Sequence, residues 1–376
     1  MKKRFHAVLA CVLCVCILFS VTGTLAAGFE TAAEAVDHMG LGWNLGNALD
    51  STGDWILQYT EGTVRDFETA WGNPVTPVSL MQKLKRLGFG AVRIPITWAR
   101  HFDDKGNMDG AWMDRVQKLV DAAMDAGLYC IINMHHDTGS DGWLRASRAN
   151  FNRNREKFEH IWRQIAERFA SYPQELLFEG FNEMVDESNV WDNPATDGVT
   201  ALNLYNQAFV DTVRSTGANN ARRNLVCCTY AASCSERCMR AFMLPRDSAR
   251  DHLIAEVHMY NPSGFAFRDE DVTWEPTVSR YSTTVEQTVD WTVEGIGNAF
   301  GNTPVIIGEF AAFNKNNTED RVKWFTRVIR DAGRIGAVCF IWDNGNAAEM
   351  GYIDRVGARD PFPEIIRACV EEAGRW

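Results

Sequence analysis

Short apolar runs alternate with longer amphipathic segments along most of the chain. Each run has three to six residues and is apolar at both odd and even positions, which is typical of buried parallel strands covered by helices. The pattern therefore predicts eight strands, which are Leu41–Leu45, Ala91–Ile96, Tyr129–Met134, Leu176–Phe181, Asn224–Thr229, Leu253–Val257, Val305–Ile307 and Ala337–Trp342.

The segments after these runs carry apolar residues at helical spacing. They predict helices at Val78–Leu87, Trp112–Ala126, Asn154–Ala170, Leu202–Thr216, Val285–Phe300, Thr318–Ala332 and Pro363–Ala373. Alternating strands and helices imply parallel strands joined by crossover helices. Eight such units over about 350 residues favour an α/β fold of the (β/α)8 TIM-barrel type, built as a single domain, over an open doubly wound sheet.

The N-terminus has the layout of a secretory signal peptide. Three basic residues at positions 2–4 precede an apolar run over 7–21, and small residues follow up to position 27. We therefore expect a signal peptide at 1–27, a folded catalytic domain at 28–376 and a secreted product. A membrane anchor and a lipoprotein signal at Cys11 remain alternatives. No later segment has about 18 consecutive apolar residues, so we expect no membrane span in the mature chain.

Composition narrows the class of protein further. With 46% apolar and 23% charged residues the chain is typical of a folded globular protein. A formal net charge of −11 argues against a nucleic-acid partner, which needs a basic surface. We expect a monomer. Of the seven cysteines beyond the signal peptide, those in apolar runs are expected to be buried thiols, whereas a Cys234–Cys238 disulfide and a zinc site involving both remain open.

Polar side chains cluster where the predicted strands end. The longest predicted loops, 47–76, 135–150, 184–201 and 260–281, also follow strand ends. In a barrel these ends meet at one mouth, which is where barrel enzymes have their active sites. The candidate site residues are Asn44, Arg93, His135, His136, Asn182, Glu183, His258, Tyr260, Glu309 and Trp342.

Glu183 and Glu309 end the fourth and seventh predicted strands, on opposite sides of the ring. Two facing carboxylates can cleave an acetal, with one protonated as a general acid and the other ionised. The period-2 geometry of a strand places Glu179, Phe181 and Glu183 on one face. We therefore predict that Glu179 pairs with an inward arginine such as Arg93, fixing it beneath the site.

Thirteen tryptophans suggest a surface on which flat sugar faces can pack. Those at strand ends or in the long loops are candidates for substrate contact, with Trp342 the foremost: Trp43, Trp55, Trp71, Trp98, Trp143, Trp191, Trp274 and Trp342. Those within helical patterns are predicted to be core residues: Trp112, Trp162, Trp291 and Trp324.

Rival chemistries have less support in the sequence. The adjacent His135 and His136 raise the alternative of a metal-dependent hydrolase, but neighbouring residues on a strand point to opposite faces. The chain contains no H-E-x-x-H, G-x-S-x-G or Walker motif. We therefore expect no metal and no cofactor. A non-catalytic glycan-binding barrel is a further alternative, which the presence of both carboxylates disfavours.

The motifs at the strand ends resemble those of glycoside hydrolase family 5 cellulases. The matching strings are Gly42-Trp43-Asn44-Leu45-Gly46-Asn47, Glu68-Thr69-Ala70-Trp71-Gly72-Asn73-Pro74, Val92-Arg93-Ile94-Pro95, Asn133-Met134-His135-His136-Asp137, Phe181-Asn182-Glu183, Val257-His258-Met259-Tyr260-Asn261-Pro262 and Ile307-Gly308-Glu309-Phe310. They occur in family order over about residues 30–370. Met184 and Met259 depart from the usual family pattern, but the candidate catalytic residues themselves are all present.

This resemblance implies roles for individual residues. Glu183 would be the acid/base and Glu309 the nucleophile of a retaining endo-β-1,4-glucanase. Trp342 would be a platform at the cleaved sugar, with supporting roles for Arg93, His135, Asn182, His258 and Tyr260. The implied partner is a β-glucan polysaccharide. Whether the preferred substrate is cellulose, xyloglucan, mixed-linkage glucan or mannan stays open.

Overall fold

The eight predicted strands are present, and each pairs in parallel with the next until the last pairs with the first and closes a barrel. The computed structural model describes residues 28–267, 273–274 and 283–376, so the predicted signal peptide and much of the 260–281 loop lie outside it. The (β/α)8 barrel is thus confirmed. Its strands are β1 (Gly42–Leu45), β2 (Ala91–Ile94), β3 (Tyr129–Ile132), β4 (Leu176–Glu179), β5 (Leu225–Ser233), β6 (Leu253–His258), β7 (Val305–Phe310) and β8 (Val338–Asp343).

All seven predicted helices are present, and shorter ones accompany them. Within the described ranges the helices are α1 (Ala32–Met39), α2 (Asp54–Tyr59), α3 (Val64–Thr69), α4 (Ser79–Leu87), α5 (Gly110–Asp125), α6 (Arg148–Arg168), α7 (Thr196–Ser215), α8 (Glu236–Ala241), α9 (Ser263–Ala266), α10 (Val285–Phe300), α11 (Thr318–Arg334) and α12 (Pro363–Ala373). The unpredicted helices have eight residues or fewer, too short for a clear helical period. None of the helices described here is both long and apolar enough to cross a membrane.

The barrel interior has an apolar layer below a polar one. Side chains from seven strands pack against α1, which closes the N-terminal end of the barrel: Ala91, Ile131, Leu177, Val226, Ile254, Ile306 and Phe340. Two residues further along each strand, the same inward face carries a largely polar set. This set forms the floor of the mouth and consists of Asn44, Arg93, Asn133, Glu179, Cys228, Glu256, Gly308 and Trp342.

An irregularity in β7 turns Glu309 into the mouth. Val257 pairs with Ile307 but His258 pairs with Glu309, so Gly308 is an extra residue in β7. Ile307 points away from the barrel interior and packs in the core between the strands and the surrounding helices. If side chains alternated strictly along β7, Glu309 would point the same way as Ile307, away from the mouth. A side chain at Gly308 would collide with Glu256 Oε1, so it could fit only if the Glu256 side chain moved or were smaller.

The predicted common face of Glu179, Phe181 and Glu183 is wrong at Phe181. Regular pairing in β4 ends at Glu179, and Phe181 turns outward against Phe158 of α6 and Tyr205 of α7. Because the period-2 alternation ends there, Asn182 and Glu183 can both line the mouth although they are adjacent.

The seven cysteines of the described residues are all free thiols. Cys234 and Cys238 therefore form no disulfide, and burial raises the pKa of both thiols. Among the described residues, these two cysteines belong to none of the groups whose possible metal-ligand atoms lie within 4.8 Å of one another, which disfavours the zinc site that the spacing left open.

Arg223, just before β5, ties the end of α6 to the strands. Its side chain is fully buried, and its five N–H groups donate to four backbone carbonyls and to Asn220 Oδ1, at 2.6–3.0 Å. The carbonyls belong to Phe169, Tyr172, Pro173 and Leu176. Burial, with a smaller effect of Arg214, lowers the pKa of Arg223 to about 9.

We predict that Arg223→Met lowers the free energy of unfolding by about 3 kcal/mol or more, because it removes the five buried hydrogen bonds that this side chain makes. Denaturant unfolding measures this change. The neighbouring Arg222 is exposed, so Arg222→Met is the matched control and should change stability by less than about 0.5 kcal/mol. Equal effects of the two substitutions would contradict the assigned role of Arg223.

Candidate active site

Arg93 lies fully buried beneath the mouth, and all five of its N–H groups are used. Nε and Nη2 donate to the two oxygens of Glu179 at 2.6 and 2.7 Å, as the sequence predicted. Nη1 donates to Asn44 Oδ1 at 2.9 Å and to Glu309 Oε1 at 2.8 Å. Nη2 also donates to Asn182 Oδ1 at 2.9 Å. The planar guanidinium of Arg93, on β2, therefore fixes Glu309 relative to the ends of β1 and β4.

Both oxygens of the Glu309 carboxylate are held. Oε1 accepts from Arg93, and Oε2 accepts from the hydroxyl of Tyr260 at 2.8 Å. His258 Nδ1 lies 3.5 Å from Oε2. Burial raises the pKa of Glu309, and the positive charges of His258 and Arg93 oppose that rise. The result is a rigid carboxylate next to two cations.

Glu183 faces Glu309 across the mouth and is more accessible. Its side chain is 23% exposed, against 6% for Glu309. Glu183 Oε1 accepts from His258 Nδ1 at 2.7 Å. One carboxylate oxygen of Glu183 lies within 4.8 Å of one carboxylate oxygen of Glu309. The two carboxylates thus differ in environment, as an acid and a nucleophile must.

His258 connects the two carboxylates as a cation. Burial alone would lower the pKa of its imidazole, but the carboxylates of Glu309, Glu183 and Glu256 outweigh burial and raise the pKa to about 10. Two further titratable groups lie near this ring. Arg93 is a second cation, and His135 is a neutral imidazole. His258 therefore carries a positive charge at neutral pH.

Glu256 is a buried member of this network that the sequence analysis missed. Its Oε1 lies 3.6 Å from both Arg93 Nε and His258 Nε2, and its Oε2 accepts from Cys228 Sγ at 2.9 Å. Burial raises the pKa of Glu256, but the charges of Arg93 and His258 bring it below the ordinary value. The missed signal was its place two residues before His258, on the same strand face.

The expectation that His135 and His136 face opposite sides is wrong. Regular β3 ends at Ile132, and both imidazoles lie in the mouth with ring centroids 4.6 Å apart. His135 stacks parallel to Trp342 at 5.7 Å, and His136 meets Trp71 edge-on at 5.3 Å. Burial lowers the pKa of both histidines, so both are neutral at neutral pH.

Asp50, His135 and His136 bring possible metal-ligand atoms within 4.8 Å of one another. Asp50 already accepts backbone N–H bonds from Asn47 and Ala48, at 2.9 and 2.6 Å, which gives it a structural function in the loop after β1. Glu183, His258 and Glu309 form a similar group, but the cationic His258 has no free lone pair for a metal. The absence of a metal cofactor stays a prediction.

Trp342 lies at the mouth, as predicted, and Gly46 makes room for its flat position. A Cβ on Gly46 would approach Trp342 Cζ2 to 2.7 Å. Trp43 and Trp98, predicted near the substrate, are instead fully buried. Their indole N–H groups donate to Asp343 Oδ2 and to the Asn133 carbonyl.

The helical tryptophans divide differently from the prediction. Trp112, Trp162 and Trp324 are buried and belong to the core, as expected. Trp291 of α10 was also assigned to the core, but this is wrong because its side chain is 58% exposed. The missed signal was the apolar stripe of α10, which excludes Trp291 and consists of Val285, Val289, Val293, Ile296 and Phe300.

A cleft of about 1340 Å³ joins the predicted site residues. Most of them line its wall: His135, His136, Asn182, Glu183, His258, Tyr260, Glu309 and Trp342. Asn44 and Arg93 lie beneath it and have no exposed surface, so they act through other side chains. Asn44 Nδ2, for example, donates to the Gly308 carbonyl at 2.9 Å and so holds the irregular turn before Glu309.

Comparisons with known proteins agree with this geometry. The family model of cellulases, glycosyl hydrolase family 5, matches residues 49–348. Endoglucanase B of Neocallimastix patriciarum is 35% identical over 365 residues, which cover 94% of this chain and 74% of that protein.

Two solved structures share the fold over most of the chain. A glycoside hydrolase family 5 enzyme from Prevotella bryantii B14, in complex with a xyloglucan tetradecasaccharide, is 38% identical with a TM-score of 0.83, and the match covers 92% of this chain and 99% of that one. A broad-specificity endoglucanase from Ruminococcus champanellensis with bound cellotriose is 37% identical with a TM-score of 0.84, covering 91% and 99%.

We predict that Glu256→Gln lowers the pKa of His258 from about 10, because it removes one of the three carboxylates that stabilise the imidazolium. The ring resonances of His258, followed by NMR through the alkaline range, measure this shift. The folded-state pKa lies above the ordinary 6.5, so the charged ring stabilises the fold fully below about pH 6.5 and loses this effect as pH rises towards 10. The substitution should therefore flatten the fall in stability over that range.

Glu68→Gln is the matched control, because Glu68 is a buried carboxylate that pairs with Arg115 away from His258. It should weaken folding without moving the His258 titration. A His258 midpoint that is the same in Glu256→Gln as in the unmodified protein would contradict the role given to Glu256.

Proposed function

The chain belongs to the cellulase family, glycosyl hydrolase family 5, and is a glycoside hydrolase of the endo-1,4-β-glucanase class; on that premise, we propose that it cleaves internal β-1,4-glucosidic bonds by double displacement with retention. The observation that carries the mechanism is the separation of the carboxylates, with oxygens of Glu183 and Glu309 within 4.8 Å. Retaining enzymes have a spacing of about 5–5.5 Å, whereas inverting enzymes need about 6.5–9.5 Å to admit a water.

In the first step, Glu309 attacks the anomeric carbon while Glu183 donates its proton to the departing glycosidic oxygen. The bond from carbon to the leaving sugar breaks, and a glycosyl ester forms on Glu309. Glu309 suits the nucleophile role because Arg93 and Tyr260 hold its oxygens and two cations favour its ionised form. The greater exposure of Glu183 supports the acid role, which requires proton exchange with solvent.

In the second step, Glu183 acts as a base. Forming the ester neutralises Glu309, and the loss of that neighbouring negative charge favours ionised Glu183. Glu183 then takes a proton from water as the water oxygen attacks the anomeric carbon and Glu309 leaves as a carboxylate. The product has the original configuration, and both groups return to their starting protonation states.

The substrate in this proposal is a soluble, neutral β-1,4-linked glucan. The related structures hold a xyloglucan oligosaccharide and cellotriose, which supports a glucan backbone with or without side branches. The cleft exceeds the range of about 300–1,000 Å³ that is typical of small-molecule sites, and this supports a polymer. Trp342 would pack against the sugar at the cleaved bond.

The cellular setting belongs to the same proposal. The basic and apolar pattern of residues 1–27 supports export and removal of a signal peptide, leaving 28–376 as the mature catalytic domain. We propose that the mature enzyme acts outside the cell as a monomer. Because the proposed substrate is a neutral polymer, the enzyme needs no strongly charged surface to bind it.

Glu309→Ala is expected to lower kcat on the order of 10⁵-fold, because the covalent intermediate cannot form. Added azide enters the space left by the carboxylate and should restore turnover, giving a glycosyl azide of inverted configuration. The measurement is the rate with and without azide, together with the anomeric configuration of the product by NMR.

Glu183→Ala is the paired control. Azide should rescue it with retained configuration, because the nucleophile is still present and the small anion takes the place of water. If Glu309→Ala gave the retained product and Glu183→Ala the inverted one, the two role assignments would have to be exchanged.

A panel of soluble polysaccharides tests the proposed substrate class. We expect turnover of mixed-linkage glucan, xyloglucan and soluble cellulose derivatives, and much slower turnover of mannan, with rates compared by reducing-end release. Mannan as the fastest substrate would contradict a glucan preference while leaving the two-carboxylate mechanism in place.

A further inference from the structure

The cleft does not end at the two carboxylates but continues over the flank of the barrel between α8 and α10. One face of α10 lines this extension with Thr288, Trp291, Thr292, Gly295, Asn298 and Ala299. The first and last of these residues are eleven steps apart, or about 16 Å along the helix. The extension is therefore long enough for more than one sugar ring. It is referred to below as the flank groove.

Trp291 is not needed for the core of α10. The buried stripe of this helix consists of Val285, Val289, Val293, Ile296 and Phe300. Trp291 lies off this stripe and is 58% exposed. A large exposed indole loses hydrophobic stabilisation unless a ligand or partner covers it.

The opposite wall explains why the flank groove stays open. Helix α8 has only six residues, whereas α10 has sixteen. Met239 of α8 and Gly295 of α10 approach each other at the floor, where a Cβ on Gly295 would lie 3.9 Å from Met239 Cε. On the α8 side the rim carries an exposed ion pair between Glu236 and Arg240 at 2.5 Å. The groove thus combines an aromatic face, a small-residue floor and a polar rim.

The flank groove is lined by residues that follow β4, β5 and β6, and Glu183 belongs to this part of the mouth because it follows β4, whereas Trp342 belongs to β8. The flank groove passes Trp191, which follows β4, and Ser233 and Ser235 at the end of β5. In the proposed mechanism, Glu183 protonates the oxygen of the leaving sugar. The part of the polymer nearest this groove is then the leaving-group portion.

We propose that the flank groove binds the leaving-group end of the β-glucan chain, with the indole of Trp291 packed against a distal sugar. This inference rests on the proposed function and extends it to a site remote from the reacting bond. The hydroxyl of Thr292 donates to the Thr288 carbonyl at 2.7 Å, so its oxygen can still accept a hydrogen bond from a sugar hydroxyl. An uncharged, hydroxyl-rich polymer fits this lining.

The test compares Trp291→Ala with the unmodified enzyme on soluble mixed-linkage glucan and on cellotetraose. We expect KM for the polymer to rise about three- to tenfold, as for loss of one stacking contact, and KM for cellotetraose to change by less than about twofold. Trp291→Phe keeps an aromatic face and should recover part of the lost affinity for the polymer.

Trp376→Ala is the matched control, because Trp376 is 59% exposed and lies against Gly333 of α11 in a separate cavity. It should leave KM for both substrates unchanged. An equal rise in KM on polymer and tetrasaccharide, or no rise on polymer, would overturn the groove assignment. If the unmodified enzyme hydrolysed no β-glucan at all, the proposed function itself would fail, and the two failures are therefore distinguishable.

Discussion

The site depends on the burial of one guanidinium group. A charge beneath a barrel mouth is stable only if its hydrogen bonds are all made and its charge is balanced. Arg93 meets both conditions through Asn44 of β1, Glu179 and Asn182 at the end of β4, and Glu309 of β7. The rigid fork of the guanidinium converts this requirement into geometry, because moving any one partner leaves a buried N–H unpaired. The nucleophile candidate is therefore positioned by the same bonds that make the buried charge tolerable.

Burial of an arginine does not by itself indicate function, as Arg223 shows. It too is fully buried with five acceptors, but four of these are backbone carbonyls and none is a carboxylate. Burial lowers the pKa of Arg223 to about 9, whereas the carboxylates around Arg93 outweigh burial and raise its pKa. Carbonyl partners make a structural clamp that joins segments of backbone. Carboxylate partners make an electrostatic network whose charge state can change during a reaction.

The barrel and most of its mouth follow from sequence because parallel strands end at one face. Residues such as Glu183, Glu309 and Trp342 could be brought together without coordinates, and the period of two also identified the Glu179–Arg93 pair. Predictions failed where the period was broken. The outward turn of Phe181 and the common side of the two histidines after β3 are local departures that depend on how neighbouring strands pack. Residues distant in the chain bury Trp43 and Trp98, so the sequence could not decide between packing and substrate contact for them. The assignment of Trp291 to the core was wrong for a local reason, because this residue lies off the apolar stripe of α10.

The close contact between Gly308 and Glu256 limits the substitutions that either position can accept. Because Glu256 Oε1 fills the space where a Cβ would lie, a larger residue at 308 requires a smaller one at 256. Losing Glu256 alone would alter the charge around His258, and gaining a side chain at 308 alone would displace the backbone before Glu309. Each single substitution therefore passes through an impaired intermediate. Substitutions at the two positions are therefore expected to be non-additive.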